Sequence, residues 1–237
     1  MEAVTFDLWN TLIYLTASAR RSFESARRAA WTRPIEAAGR GHREATAIVR
    51  ALESEGRRRE LLGRNFPIPA QVEWIRKAHG LELPVDRVVV ALERGVEEST
   101  PSVAPGVEEM LARLRREGFA LALVSNVIFE TGRSTRRLLA RLALIDGFDS
   151  VVLSVDLGVG KPSPRPLRAA LAEMKVRPSQ AMHVGDLSTD VIAALRAGVA
   201  ARLFDGLARF APPPPPGLPP VPRGTVTVHR WSEFSPV

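Results

Sequence analysis

The chain has 237 residues, 45% of them hydrophobic and 25% charged, a composition that fits one large or two small globular domains and excludes a disordered chain. It contains no cysteine, which excludes disulfides, thiolate metal sites and thiol catalysis. No apolar run approaches the roughly 18 residues of a membrane span. The opening MEAVTFDLWNTL lacks the basic stretch of a signal peptide, so a cytoplasmic location is expected.

The formal charge is +7, and 30 of the 33 basic residues are arginine. The excess is local: between Arg20 and Arg64 twelve arginines face six glutamates. That density could attract an anionic substrate or a nucleic acid. A solvated helical face carrying Arg–Glu pairs at helical spacing accounts for it better, and nucleic acid is not an expected partner.

Val4-Thr5-Phe6 reads as a short buried strand with Asp7 at its end. From about 17 to 99 no strand pattern appears. Helical patterns near 17–31, 40–62, 70–79 and 84–98 are instead broken by Pro34, Gly63, Pro67, Pro69, Gly80 and Pro84. After Pro105 the rhythm changes. A helix at 106–116, a continuous apolar strand at 119–124, a helix at 131–142 and a strand at 151–155 follow one another. Then come a helix at 164–174, a strand at 181–184, a helix at 188–197 and a strand at 199–204. Strands without polar alternation, separated by helices, predict a parallel sheet covered on both faces, an α/β Rossmann-like core. The expected division is a core of residues 1–16 and 100–237 interrupted by an all-helical block at 17–99.

Residues 212–222 hold eight prolines and predict an extended spacer. A final edge strand at 225–228 and a terminal turn at 231–234 that packs back are expected beyond it. In parallel sheets ligands bind at the carboxyl ends of strands. Asp7, Ser125 and Asp186 all fall there.

Four short signatures therefore occur in order. Asp7-Leu8-Trp9-Asn10-Thr11 follows the first strand and Ser125-Asn126 the second. Gly160-Lys161-Pro162-Ser163-Pro164 precedes a helix, and Gly185-Asp186 with Asp190 follows a later strand. Singly, each is an ordinary helix cap or surface charge. Together they resemble the haloacid dehalogenase superfamily of hydrolases, and the helical block lies where members with a helical cap insert it. The resemblance implies that Asp7 is the nucleophile, with Ser125 and Lys161 completing the catalytic set. Thr11, Ser125, Asn126 and Lys161 would contact a small anionic substrate. Asp7, the carbonyl of Trp9, Asp186 and, in a supporting position, Asp190 would hold Mg²⁺.

The chemistry is consistent with those residue types. A transferring phosphoryl group carries spread negative charge, so catalysis is mostly positioning and neutralisation. A carboxylate can attack phosphorus and form an acyl-phosphate, hard oxygen ligands suit Mg²⁺, and a lysine pairs with phosphate oxygens. The expected activity is Mg²⁺-dependent hydrolysis of a small phosphorylated metabolite through an aspartyl-phosphate at Asp7. One departure stands out. In phosphatases of the superfamily the residue two after the nucleophile is an aspartate that moves protons; here it is Trp9, which cannot. Aryl and acyl phosphates should then be cleaved better than alkyl phosphates, and fast alkyl turnover would require a proton from another residue, such as one of the helical block. Superfamily dehalogenases carry an aromatic residue at this position, so a 2-haloacid dehalogenase using Asp7 is the first alternative. A member that binds phosphorylated ligands without turnover is the second.

Other features carry less. Gly158-Val159-Gly160-Lys161 is not a P-loop, because Val155 and Pro162 stand where glycine and Ser/Thr are needed. His183 reads as a packed strand residue. His42, His79 and His229 have no acidic or hydroxyl partner legible in the sequence. Trp31, Phe66 and Trp74 read as packing between helices of the block. Asn10 occupies a position where the superfamily has glycine.

Overall fold

The computed structural model describes residues 1–236; Val237, the last residue of the expected core segment, lies outside the described residues. In chain order the elements are β1 (Ala3–Phe6), β2 (Ile13–Tyr14), α1 (Ala17–Ala37), α2 (His42–Leu61), α3 (Ile68–His79), α4 (Val85–Glu97) and β3 (Ser102–Val103). Then follow α5 (Val107–Arg116), β4 (Ala120–Ser125), α6 (Gly132–Arg141), β5 (Ser150–Leu153), α7 (Ser154–Leu157), α8 (Arg165–Met174), β6 (Ala181–Gly185), α9 (Ser188–Ala197), β7 (Ala200–Phe204) and β8 (Val226–Val228).

Six strands form one sheet in the order β5-β4-β1-β6-β7-β8, and every pairing in it is parallel. The protein is α/β. The alternation of a strand explains how the short β1 serves both faces. Val4 and Phe6 enter one hydrophobic cluster with Leu123, Val184, Phe204 and residues of α5, while Ala3 joins Ala122, Val124 and residues of α8 and α9 on the other. Register sets Phe6 beside Leu123 and Val184, so the carboxyl ends of β4, β1 and β6 lie side by side. The residues just after those ends are Asn126, Asp7 and Asp186.

Helices α1 to α4 have a hydrophobic cluster of their own, built on Trp31, Ile35, Leu52, Phe66 and Ile75. Trp31 and Phe66 are fully buried there, with Trp74 packed against them. The arginines of α2 pair along the helix, Arg58 and Arg59 with Glu55 at 2.8 and 2.7 Å. Where the chain leaves and re-enters the sheet region, β2 and β3 form a two-stranded antiparallel ladder. Its four residues are too few to show a period, so the sequence pattern carried no sign of it.

Two boundaries differ from expectation. The first helix runs through Pro34 to Ala37, because Trp31 and Ile35 anchor its last turns in the cluster and tertiary packing overrides the break. The strand expected at 151–155 stops at Leu153, and Val155 lies in the one-turn helix α7. The prolines of 212–222 form no regular element; they span the return from β7 to β8, which are parallel and need a crossover. Beyond β8 the chain packs back as expected. Trp231 is buried, stacks on Phe204 with ring centroids 4.3 Å apart, and donates its Nε1–H to the Thr11 carbonyl at 3.2 Å.

Candidate active site

Lys161 is the hub. Its ammonium is buried and lies 2.6 Å from Asp7 Oδ1 and 2.5 Å from Asp190 Oδ1, and it donates to the Val124 carbonyl at 2.7 Å. Asp7 is placed by the end of β1, where its own N–H is still in the ladder, donating to the Val184 carbonyl at 2.9 Å. Asp190 comes from the first turn of α9 and caps the chain before it, accepting the Leu187 N–H at 2.9 Å. Both Asp190 oxygens are therefore engaged, as befits an acid that orients its neighbours. Gly185 makes this closeness possible: a Cβ there would stand 2.3 Å from Asp190 Cγ.

The loop that carries Lys161 is clamped by Asn126. Its side-chain Oδ1 accepts the Lys161 N–H at 2.8 Å, and its Nδ2 donates to the Lys161 carbonyl at 2.9 Å. The sequence pointed to Asn126 as a substrate contact; the structure adds this side-chain grip. Ser125 is buried at the end of β4, and its hydroxyl makes no hydrogen bond among the described residues. Thr11 is also buried, but no hydrogen bond of the described residues joins it to Asp7, Lys161 or Asn126. Its carbonyl serves Trp231 instead. Asn10 takes a left-handed backbone at φ 56°, which asparagine tolerates better than most non-glycine residues.

Trp9 is half-buried and stacks on Phe23 of α1, ring centroids 6.0 Å apart at 26°. Its indole thus ties the loop after β1 to the first helix of the block. A packing role accounts for the tryptophan, and position 9 contributes no proton.

Burial pushes the Asp7 and Asp186 carboxyls up, Asp186 furthest, because Asp7 and Asp190 repel its charge. Burial opposes the Asp190 charge too, but Lys161 and His183 outweigh it and hold this carboxyl low. Burial also opposes the ammonium of Lys161, and the two aspartates more than restore it. Three carboxylates face one ammonium. A hard divalent cation meets that surplus of negative oxygen donors, so Asp7, Asp186 and the Trp9 carbonyl suit Mg²⁺ in chemistry. Among the described residues no three carboxylate or imidazole groups converge closely enough to enclose a metal by themselves. The ion would need oxygens from solvent and substrate, as Mg²⁺ sites commonly do.

Two residues of the neighbourhood were given no part in the site by the sequence. Glu60, in the last turn of α2, reaches the Asn126 amide, which donates to its Oε1 at 3.4 Å. Burial and the nearby Asp7 and Asp190 push its carboxyl up to about 7, against the Asn126 hydrogen bond and Lys161. His183 lies inside β6 as expected, but it is not inert: Nδ1 shares a 2.8 Å hydrogen bond with the Thr5 hydroxyl, and Nε2 is 3.5 Å from Asp190 Oδ1. Away from the site, His42 and His229 do have acidic partners, Glu36 and Asp205, each at 2.6 Å. Turns bring these pairs together across 6 and 24 residues, a proximity that spacing in the chain does not show.

Asp7 and Asp186 thus follow adjacent strands of a parallel α/β sheet, and the Lys161 ammonium joins Asp7 to Asp190 of α9. The chain belongs to the haloacid dehalogenase-like hydrolases, whose family model matches residues 1–198. It is 36% identical over 111 residues to a phosphoglycolate phosphatase of Cereibacter sphaeroides, covering 47% of this chain and 49% of the relative. The chain thus spans about half the length of the curated relatives it matches. Two solved structures share its fold along nearly the whole length. A haloacid dehalogenase-type phosphatase from Thermococcus onnurineus is 21% identical with a TM-score of 0.64, covering 98% of this chain and 95% of the other. A 2-haloacid dehalogenase from Pseudomonas syringae pv. Tomato DC3000 is 24% identical with a TM-score of 0.66, covering 98% and 95%.

Proposed function

We propose that the protein is a phosphatase of small phosphorylated metabolites in which Asp7 attacks phosphorus. The observation that carries this reading is the Lys161 ammonium shared between Asp7 and Asp190, with the Asp186 carboxyl beside them and repelled by both. That arrangement leaves a net negative pocket needing a divalent cation, whereas the dehalogenase reaction of the superfamily needs none. The similarity to a phosphoglycolate phosphatase supports the same choice.

In this reading residues 17–99 form a cap over a core made of 1–16 and 100–237. The Ser125 hydroxyl and Asn126 N–H donate to a phosphoryl oxygen, and Lys161 pairs with the phosphate while holding Asp7 in line. Asp7 Oδ forms a bond to phosphorus as the bond to the leaving oxygen breaks. Water then attacks the acyl-phosphate, releasing phosphate and regenerating Asp7. Mg²⁺, held by Asp7, Asp186 and the Trp9 carbonyl, would neutralise charge on the phosphoryl oxygens. Asp190 keeps Lys161 placed.

Assay of the pure protein on aryl, acyl and alkyl phosphates and on 2-haloacids, with and without Mg²⁺, tests the reading. Mg²⁺-dependent phosphate release that Asp7→Asn abolishes is expected, since an amide is a poor nucleophile. Halide release without added metal would establish the dehalogenase instead, and no turnover of either class would leave a binding protein.

A further inference from the structure

We propose that Glu60, a carboxyl from the helical block, is the proton-transfer residue of this site and takes the part that Trp9 cannot. The proposal rests on the phosphatase reading. Cleaving an alkyl phosphate needs a proton on the departing oxygen, and hydrolysing the aspartyl-phosphate needs a base for water.

The other groups around Asp7 are committed elsewhere, Asp186 to the cation in the reading above. Asp190 has both oxygens taken by Lys161 and the Leu187 N–H. Lys161 is bound to two carboxylates and a carbonyl, which keeps its proton. His183 is enclosed within β6 and hydrogen-bonded to Thr5. Tyr14 stacks face to face on Phe210, centroids 4.3 Å apart. Trp9 packs on Phe23. Glu60 has a carboxyl that accepts from the Asn126 amide of the lysine clamp, and the residue is only half-buried, so a donor there can be recharged from solvent.

Its position is built, not incidental. Just past α2 the chain docks directly on the lysine loop. The Gly160 N–H donates to the Gly63 carbonyl at 3.1 Å, and Arg64 bridges to Val159. Gly63 sits at φ 67°, and a Cβ there would meet the Gly160 carbonyl oxygen at 2.9 Å and the Ser163 nitrogen at 3.2 Å. Only glycine permits both the turn and the approach. The last turn of α2 is thereby pinned over the site, with Glu60 three residues before the pin. Burial above all, with the charges of Asp7 and Asp190, pushes its carboxyl up to about 7 against the Asn126 hydrogen bond and Lys161, which suits a group that both gives and takes a proton.

The proton balance closes. In the first half-reaction protonated Glu60 gives its proton to the leaving oxygen as the P–O bond breaks and the Asp7–phosphorus bond forms. In the second, ionised Glu60 takes a proton from the attacking water as the Asp7–phosphorus bond breaks, which returns it to the starting form.

The test compares wild type, Glu60→Gln and Glu60→Asp on p-nitrophenyl phosphate and on β-glycerol phosphate with Mg²⁺. p-Nitrophenolate leaves without a proton. Glu60→Gln should therefore keep the fast burst of nitrophenolate, near one equivalent, and lose steady-state turnover as aspartyl-phosphate accumulates. On the alkyl ester it should lose about 10²–10⁴-fold in kcat/KM. Glu60→Asp should recover part of both. Equal wild-type rates for Glu60→Gln on both substrates would overturn the proposal, and so would loss of the burst together with turnover, which marks a structural role. A wild type with no Asp7-dependent phosphate release on either ester would overturn the phosphatase reading itself. Asp7-dependent release that is indifferent to Glu60 overturns only this inference.

Discussion

The Nζ of Lys161 lies 2.6 Å from Oδ1 of Asp7, although 154 residues separate them in the chain. Both groups are buried, and the same ammonium also neutralises Asp190. Removing one partner of a buried ion pair leaves an uncompensated charge and costs about 3–5 kcal/mol. Lys161→Met should therefore lower stability by that order at pH 7 in urea unfolding and abolish phosphate release. A variant as stable as wild type would mean that the lysine does not hold the two aspartates together.

Mg²⁺ binding should depend on Asp186, whose carboxyl is buried and repelled by Asp7 and Asp190, with Lys161 the cation that attracts it. Calorimetric titration of wild type should show binding that Asp186→Ala weakens at least tenfold. Equal affinity in the two proteins would exclude Asp186 as a ligand.

Glu130 offers a pH test on a carboxyl whose shift owes nothing to Asp7, Lys161 or Asp190. Burial pushes its carboxyl up to about 7, against the attraction of Arg27 and a 3.4 Å hydrogen bond from the Thr135 hydroxyl. A carboxyl whose folded value lies above its unfolded value of 4.5 binds more protons in the folded state, so its contribution to stability falls as pH rises from about 4.5 through 7. Glu130→Gln should be close to neutral in thermal unfolding at pH 4.5 and stabilising at pH 8. An equal effect at both values would contradict the assignment.

The C-terminal segment should behave as part of the core. Trp231 is 1% exposed, stacks on Phe204 and meets Phe6 edge-on with centroids 5.6 Å apart. Truncating a buried tryptophan costs about 3–5 kcal/mol. Trp231→Ala should lose that much by urea denaturation, and a loss below about 1 kcal/mol would show that the segment only rests on the sheet.

The order of elements was legible in the sequence because its signals are local. Apolar runs mark buried parallel strands, and the 3.6-residue rhythm marks helices. Asp7, Ser125 and Asp186 were legible because they fall at strand ends, which parallel topology gathers; Asn126 and Lys161 were legible only through the resemblance of their motifs to the superfamily. What tertiary structure decided depends on proximity without a chain signal. Asn126 grips the lysine loop through its side chain, Trp9 is spent on Phe23, and Thr11 turns to the core and Trp231. Glu60 looked like one more glutamate of an arginine-rich helix. Only the docking of Gly63 on Gly160 brings it to the site, and that contact joins segments almost a hundred residues apart by backbone atoms, which every residue type possesses.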